Sequence, residues 1–156
     1  MSTAVPKPVK MVSPKSWPTL TYLIKWIERK VRLELDAALA PLEISVPEYT
    51  ALSVLRENRE LSSAQLARRT FVSAQAMHPI VMGLLEKRLI LRRDDPGHGR
   101  IHLVRLSEQG KKVLEECNAA AAEAETRAFA GISRTEAETL RKALERCVHS
   151  ISNNEG

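Results

Sequence analysis

The sequence predicts a mainly α-helical protein with one small β-hairpin and long helices at both ends. Three observations lead to this prediction. Serine-capped helix starts recur along the chain, two short predicted helices are joined by a link of only a few residues, and a short basic hairpin follows them. At 156 residues the chain is long enough to form one domain with a substantial core.

The first predicted helix is long and begins near Trp17. Apolar residues between Leu20 and Leu42 recur at helical spacing, and Pro41 marks the end of the pattern. Residues 1–16 contain three prolines among lysines and small residues, so they are predicted to be a flexible tail.

The later helices begin with capping signals. The capping box, a serine followed three residues later by Glu or Gln, occurs at Ser45–Glu48, Ser62–Gln65 and Ser133–Glu136. Ser73 is a further N-cap without the box, and Ser107 caps a long helix that extends to about Ala130. The predicted helices that begin at the other four caps cover about 46–58, 62–69, 73–88 and 134–151.

A β-hairpin is predicted after the third short helix. The segments Leu89–Arg93 and Arg100–Leu106 flank residues 94–99, which are dense in Asp, Pro and Gly. Three short helices followed by such a hairpin form a winged helix-turn-helix. Its link, Arg69–Val72, has the length that allows the following helix to lie in a DNA major groove.

The helix predicted over 73–88 has an apolar face and a polar face. Gln75 and His78 fall on the outward side in its first two turns, where they can reach base edges. Pro79 lacks an N–H and is predicted to kink the helix locally and so to set its tilt in the groove.

The charge distribution favours a polyanionic partner. Residues 56–106 carry ten basic and five acidic groups, so their net charge, ten minus five, equals the +5 of the whole chain. Double-stranded DNA is therefore the predicted partner. The candidate DNA-binding residues are Ser62, Ser63, Arg68, Arg69, Ser73, Gln75, His78, Pro79, Arg92, Arg93 and Arg100.

Over residues 17–151 the sequence resembles the multiple-antibiotic-resistance regulator (MarR) family of bacterial transcription factors. Five segments carry the resemblance by their order and spacing: Pro47–Tyr49, Ser63–Ala67, Val72–Met77, Leu85–Ile90 and Leu106–Gly110. The resemblance implies a homodimer that regulates transcription, commonly as a repressor, by binding a pseudo-palindromic operator.

The resemblance also bears on the wing and on ligands. The family wing usually carries Asp-x-Arg, in which the acid orients an arginine that enters the minor groove; here the triplet is His98-Gly99-Arg100. Family members often bind aromatic acids near the junction of the first two helices. Tyr22, Trp26 and Tyr49 are therefore candidate residues for a small aromatic effector, although aromatic residues at helical spacing are more often part of the core.

Two cysteines leave a redox-sensing regulator as an alternative. Cys117 and Cys147 each lie 15 residues from Ile132, so a helical hairpin would bring them level. Packed helix axes are about 8–10 Å apart, whereas a disulfide needs Cα atoms within about 7 Å. We therefore expect ordinary buried thiols.

The predicted organisation is a tail (1–16), a helical dimerisation region (17–44 and 107–156) and a DNA-binding lobe (45–106). We expect a cytoplasmic protein without membrane association, metal or cofactor, because the sequence contains no long apolar run, secretory signal or metal-ligand cluster. The sequence also contains no recognisable enzyme motif. A winged-helix protein-interaction module is the remaining alternative, but such a module would have few arginines in the wing.

Overall fold

The computed structural model describes residues 18–152, apart from the side chains of residues 98, 100, 151 and 152. The predicted tail and the predicted helix start at Trp17 lie outside the described residues. Helix α1 spans Leu20–Leu39, and the Thr19 hydroxyl caps it by accepting a hydrogen bond from the backbone N–H of Tyr22 at 3.2 Å. A 3-10 turn at Ala40–Leu42 follows, so the first helix ends where Pro41 predicts.

Three short helices follow, namely α2 (Val46–Glu57), α3 (Ser63–Arg69) and α4 (Ala74–Glu86). The predicted capping boxes are formed at α2 and α3, where each serine hydroxyl accepts from the N–H three residues on and the Glu or Gln side chain accepts from the serine N–H. At α4 the Ser73 hydroxyl accepts from the N–H of Ala76 at 3.1 Å. The predicted starts are confirmed because each depends on contacts within a single turn.

The predicted hairpin is present but belongs to a three-stranded antiparallel sheet. Strands β1 (Leu61–Ser62), β2 (Ile90–Asp95) and β3 (His98–Leu106) lie in the order β1-β3-β2. Asp95 pairs with His98, so only Pro96 and Gly97 remain in the turn, which is shorter than the predicted 94–99. The prediction missed β1, because two residues show no alternation and their pairing with β3 is non-local.

The hydrophobic core joins α2, α3, α4 and the sheet to α1 and to helix α5 (Glu108–Ala128). It contains side chains from every helix between α1 and α5 and from all three strands. Its largest fully buried members are Leu39, Leu52, Leu55, Leu66, Met77, Leu84, Ile90, Val104, Leu114 and Cys117. Such a shared core fixes α4 and the β2–β3 wing relative to one another.

The start of α5 is held by a close contact with the chain leaving α4. The Ser107 hydroxyl donates to the Arg88 carbonyl at 2.7 Å and accepts from the N–H of Gly110 at 2.9 Å. A Cβ atom on Gly110 would lie 1.9 Å from the Leu89 carbonyl oxygen. The sequence Leu106–Gly110 therefore packs α5 against this backbone in a way that requires glycine.

The last helix, α6, spans Arg134–Ser152, close to the predicted bounds. The prediction that both cysteines are buried is only partly correct. Cys117 on α5 is buried as expected, whereas Cys147 on α6 is exposed. The expectation of two buried thiols is wrong for Cys147, because α6 leaves most of its surface uncovered within one protomer.

None of the helices in the described region is long and apolar enough to cross a membrane.

Candidate nucleic-acid interface

Helix α4 turns one face to the core and the other to solvent. The face that packs on the core is apolar. The helix runs unbroken through Pro79, even though proline has no N–H to donate to the Gln75 carbonyl. The buried side chains are Met77, Val81 and Leu84, and the exposed ones include Gln75, His78, Pro79 and Met82. The exposed face of α4 can present Gln75 and His78 to base edges. That these two side chains contact DNA stays a prediction.

The link between α3 and α4 brings further polar groups to the start of α4. Arg68 and Arg69 lie exposed in the last turn of α3, and Arg69 Nη1 donates a hydrogen bond to Asn58 Oδ1. The Arg68 side chain makes no hydrogen bond or ion pair within the described part of the chain, so its guanidinium is available to a phosphate. The hydroxyls of Ser62 and Ser73 are engaged in caps but keep a proton to donate. Ser63 is half-buried as the first residue of α3.

The two adjacent wing arginines have different environments. Arg93 donates through Nε to Glu60 Oε1 at 2.8 Å and through Nη2 to Glu60 Oε2. Because successive strand residues point to opposite faces, Arg92 lies on the other side of β2. Arg92 is exposed and forms no ion pair with any described side chain.

Glu60, which lies between α2 and β1, forms ion pairs with arginines of β2 and β3. The hydrogen bonds from Arg93 lower the pKa of Glu60, and Arg105 Nε lies 3.9 Å from the same carboxylate. This arrangement gives Arg93 a structural partner. Sequence reasoning did not detect it because Glu60 and Arg93 are far apart in the chain.

Two contacts of aspartate side chains stabilise the tip of the wing. The N–H of Gly97 donates to Asp95 Oδ1 at 3.0 Å, and His102 Nδ1 lies 2.8 Å from Asp94 Oδ1 across the hairpin. Arg100 lies near the start of β3, two residues after His98, which pairs with Asp95. The side chains of Arg100 and His98 are outside the described part of the structure.

A second ion pair ties α4 to α2. Lys87 Nζ, directly after α4, donates to Glu48 Oε1 at 2.8 Å and to the Glu43 carbonyl at 2.6 Å. Burial alone would raise the pKa of Glu48, but hydrogen bonds from Lys87 and Ser45 hold it below its usual value. The charged pair therefore anchors the C-terminal end of α4.

A cavity of about 450 Å³ lies on the side of the protomer formed by α1, α2, α5 and α6. Tyr49 lines it, and the Tyr49 hydroxyl donates to Asn118 Oδ1 at 3.0 Å. Tyr22 and Trp26 are not among its lining residues. They are 45% and 55% exposed, so the expectation that they are core residues is wrong for one protomer. The other lining residues are Ile24, Ile27, Glu28, Val31, Leu35, Ala121, Glu125, Phe129, Leu140 and Leu144.

Burial makes Cys117 a poor redox nucleophile. It raises the pKa of the thiol, and the negative charges of Glu116 and Glu48 raise it further. A raised pKa reduces the thiolate fraction, which is the reactive form.

Sequence reasoning overlooked Phe71 in the α3–α4 link. The Phe71 side chain is 93% exposed, and its backbone has a φ of 57°. A large apolar residue in a polar link before a serine N-cap was the signal that could have found it.

The three-helix lobe, the short α3–α4 link and the β2–β3 hairpin define a winged helix-turn-helix protein. The MarR family model matches residues 42–101, which comprise α2, α3, α4, β1, β2 and the start of β3. Over these residues the chain is similar to the MarR family.

Relatives found by sequence and by structure are also similar to this chain over most of its length. The HTH-type transcriptional repressor Rv2887 of Mycobacterium tuberculosis is 29% identical over 127 residues, which cover 81% of this chain and 91% of the relative. Its crystal structure with salicylic acid has a TM-score of 0.71 at 29% identity and covers 82% of this chain and 95% of that chain. Its complex with DNA has a TM-score of 0.71 at 27% identity, with 82% and 96% covered.

Proposed function

We propose that this chain is a sequence-specific DNA-binding transcriptional regulator that acts as a repressor. One observation carries the proposal: α4 follows a tight link and exposes Gln75 and His78 from a face with no structural role in the core. Polar side chains such as these form hydrogen bonds with base edges in the major groove, and glutamine can form two hydrogen bonds with one adenine. The relative Rv2887 is named a repressor and has been crystallised with DNA, which supports the same role here.

The charges around α4 match a duplex backbone. Arg68 and Arg92 are exposed and unpaired within the described residues, and they lie on the two elements that flank α4. Contacts to phosphates position a protein on DNA without reading sequence, whereas contacts to base edges specify it. We therefore assign positioning to the arginines and specificity to Gln75 and His78.

The regulator is proposed to act as a homodimer on a pseudo-palindromic site. In one protomer α1 and α6 expose apolar residues at helical spacing, which a partner copy would cover. They include Leu20, Ile24, Ile27, Leu140, Leu144 and Val148. Two α4 helices related by a two-fold axis would read half-sites about 10 base pairs apart.

A small aromatic acid is proposed as effector, bound in the cavity that Tyr49 lines. The cavity volume of about 450 Å³ falls within the usual range for small-molecule sites. Its walls come from α1, α5 and α6 as well as from α2 of the DNA-binding lobe, so occupancy can change how the lobe sits on its dimerisation helices. The salicylic acid complex of Rv2887 supports this ligand class. Regulation follows only if the effector binds one lobe arrangement better than another.

The proposal is tested by selecting genomic fragments from the source organism with purified protein. We expect enrichment of fragments that share a two-fold repeated motif. On such a fragment, Gln75→Ala and His78→Ala should each weaken binding by about 1–3 kcal/mol and change binding to random duplex little. Arg134→Ala, on the exposed surface of α6, is the matched control. Fragments without a shared motif, or equal losses on operator and random DNA, would refute sequence-specific reading.

We propose no enzymatic activity, and we expect the protein to act in the cytoplasm, where its DNA partner lies. The exposed groups around α4 are suited to binding rather than to bond-making.

A further inference from the structure

We propose that Phe71 makes an apolar contact with the DNA. Its ring would pack against an apolar part of the duplex, either a thymine methyl group or the carbons of a deoxyribose. This inference rests on the proposed DNA-binding function and adds an apolar contact to the polar readers on α4.

The exposure of Phe71 is exceptional in this protein. At 93%, it is the most exposed of the large apolar side chains in the described region, where the next reaches 57%. The exposed apolar residues of α1 and α6 lie on helix faces that a second copy can cover. Phe71 lies instead in the α3–α4 link, so covering α1 and α6 does not explain why this ring faces water.

The backbone of Phe71 also disfavours an aromatic residue. The N–H of Val72 donates to the Ala67 carbonyl at 3.1 Å, which ends α3 in a Schellman motif with Phe71 in the left-handed conformation. Glycine adopts this conformation at the lowest cost, and a bulky residue there is an outlier. The motif needs the backbone geometry of Phe71 and not its side chain.

The same motif elsewhere in the chain provides an internal comparison. Glu43 and Arg88 have φ values of 55° and 57°, and each is followed by a residue whose N–H bonds five residues back. Both of these positions carry charged side chains that suit a solvated helix end. At Phe71 the left-handed backbone and the exposed ring both cost free energy, and the ring gains no packing within the protomer. A cost of this kind points to a function.

The position of Phe71 identifies the partner. Phe71 lies two residues before the N-cap of α4 and between exposed Arg69 and Gln75. In a helix-turn-helix the start of the second helix faces the major groove, so the ring is presented beside that groove. The thymine methyl is the apolar feature of the groove floor, and deoxyribose carbons line its walls.

The test combines stability with DNA affinity. Phe71→Gly should leave Tm unchanged or raise it by about 2–4 °C, because it relieves the left-handed backbone. The same variant should weaken binding to the selected operator about 5- to 50-fold. Binding to random duplex should change little if the contact is a thymine methyl, and should weaken in parallel if the contact is a deoxyribose, because every duplex carries that sugar. Phe71→Leu should retain most of the affinity, because it keeps an apolar side chain. Affinity is measured by fluorescence anisotropy at fixed salt concentration.

Replacing single thymines of the operator by deoxyuridine distinguishes the two apolar sources. If one replacement weakens the wild type but not Phe71→Gly, the contact is a thymine methyl. If no replacement matters while Phe71→Gly still binds more weakly, the contact is a deoxyribose.

Two results would overturn the inference. One is Phe71→Gly binding the operator like the wild type, and the other is a marked fall in its Tm, which would show a structural role for the ring. Gln75→Ala separates this failure from that of the proposed function. If Gln75→Ala loses affinity and Phe71→Gly does not, only the Phe71 assignment fails. If the wild type does not prefer the operator, the proposed function itself fails.

Discussion

At Gly110 the first turn of α5 packs tightly against the chain that leaves α4. The hydrogen bonds of Ser107 place the first turn of α5 directly over the Leu89 carbonyl. The contact ties the start of α5 to Leu89, the residue directly before β2.

Gly110→Ala should destabilise the protein by at least about 1–3 kcal/mol, because its Cβ would overlap a backbone atom that cannot rotate away. Gly131→Ala is the matched control, since a Cβ there meets nothing within 4 Å. Urea unfolding followed by circular dichroism measures both variants. Equal midpoints for Gly110→Ala and wild type would contradict the close packing of α5.

Glu48 should make the stability of the fold pH-dependent. Its pKa is lowered in the folded state, so the charged pair with Lys87 contributes stability above the ordinary glutamate pKa of about 4.3. That contribution is lost as the pH falls through the lowered folded-state value.

We therefore expect Glu48→Gln to unfold at a lower urea concentration than the wild type at pH 7, and the difference to shrink as the pH approaches 3. Urea midpoints at several pH values measure this. A difference that stays constant with pH would show that the charge of Glu48 contributes nothing.

At the scale of the elements, contacts within one turn were predictable and contacts between distant segments were not. The caps at Ser45, Ser62 and Ser73 follow from a serine and the backbone three residues on, and all three form. Strand β1 and the pairing of Arg93 with Glu60 were missed, because each depends on a chain reversal whose geometry local patterns do not specify.

The helices at the two ends show the same division. The bounds of α6 were predicted well, but its exposure in the protomer was not, and this made the expectation for Cys147 wrong. Of the aromatic residues proposed for the effector site, the structure places Tyr49 at the cavity and leaves Tyr22 and Trp26 exposed. Helical periodicity identifies an apolar face but does not say whether the same chain or a partner covers it.

The wing arginines are expected to contribute differently to DNA binding, depending on whether an acidic side chain already pairs with them. Arg92→Ala and Arg100→Ala should each weaken binding to all DNA and lower the salt dependence by about one unit, because each removes one cation. Arg93→Ala should change the salt dependence less, because Glu60 already neutralises Arg93. His98→Asp should keep or improve affinity by supplying the acid that usually orients the wing arginine.

Anisotropy titrations over a salt series measure these slopes. A wild-type slope for both Arg92→Ala and Arg100→Ala would show that the wing does not contact DNA.

For the whole molecule, the exposed apolar faces of α1 and α6 predict a stable homodimer. Light scattering should give about 35 kDa, twice the 17.4 kDa of one chain. Leu144→Arg places a charge on the apolar face of α6 and should shift the protein toward monomer and weaken operator binding. Lys142→Ala, also exposed on α6, is the control. A wild type that remains about 17 kDa at micromolar concentration would remove the proposed interface.

The central claim is that the two α4 helices of a dimer read a specific sequence. It is tested most directly by comparing dissociation constants for the selected operator and for a random duplex of equal length in about 0.15 M salt. We expect the operator to bind at least about 10³-fold more tightly, with one dimer per two-fold site. Equal affinity for both duplexes would contradict the account, because binding would then depend on the phosphate backbone alone.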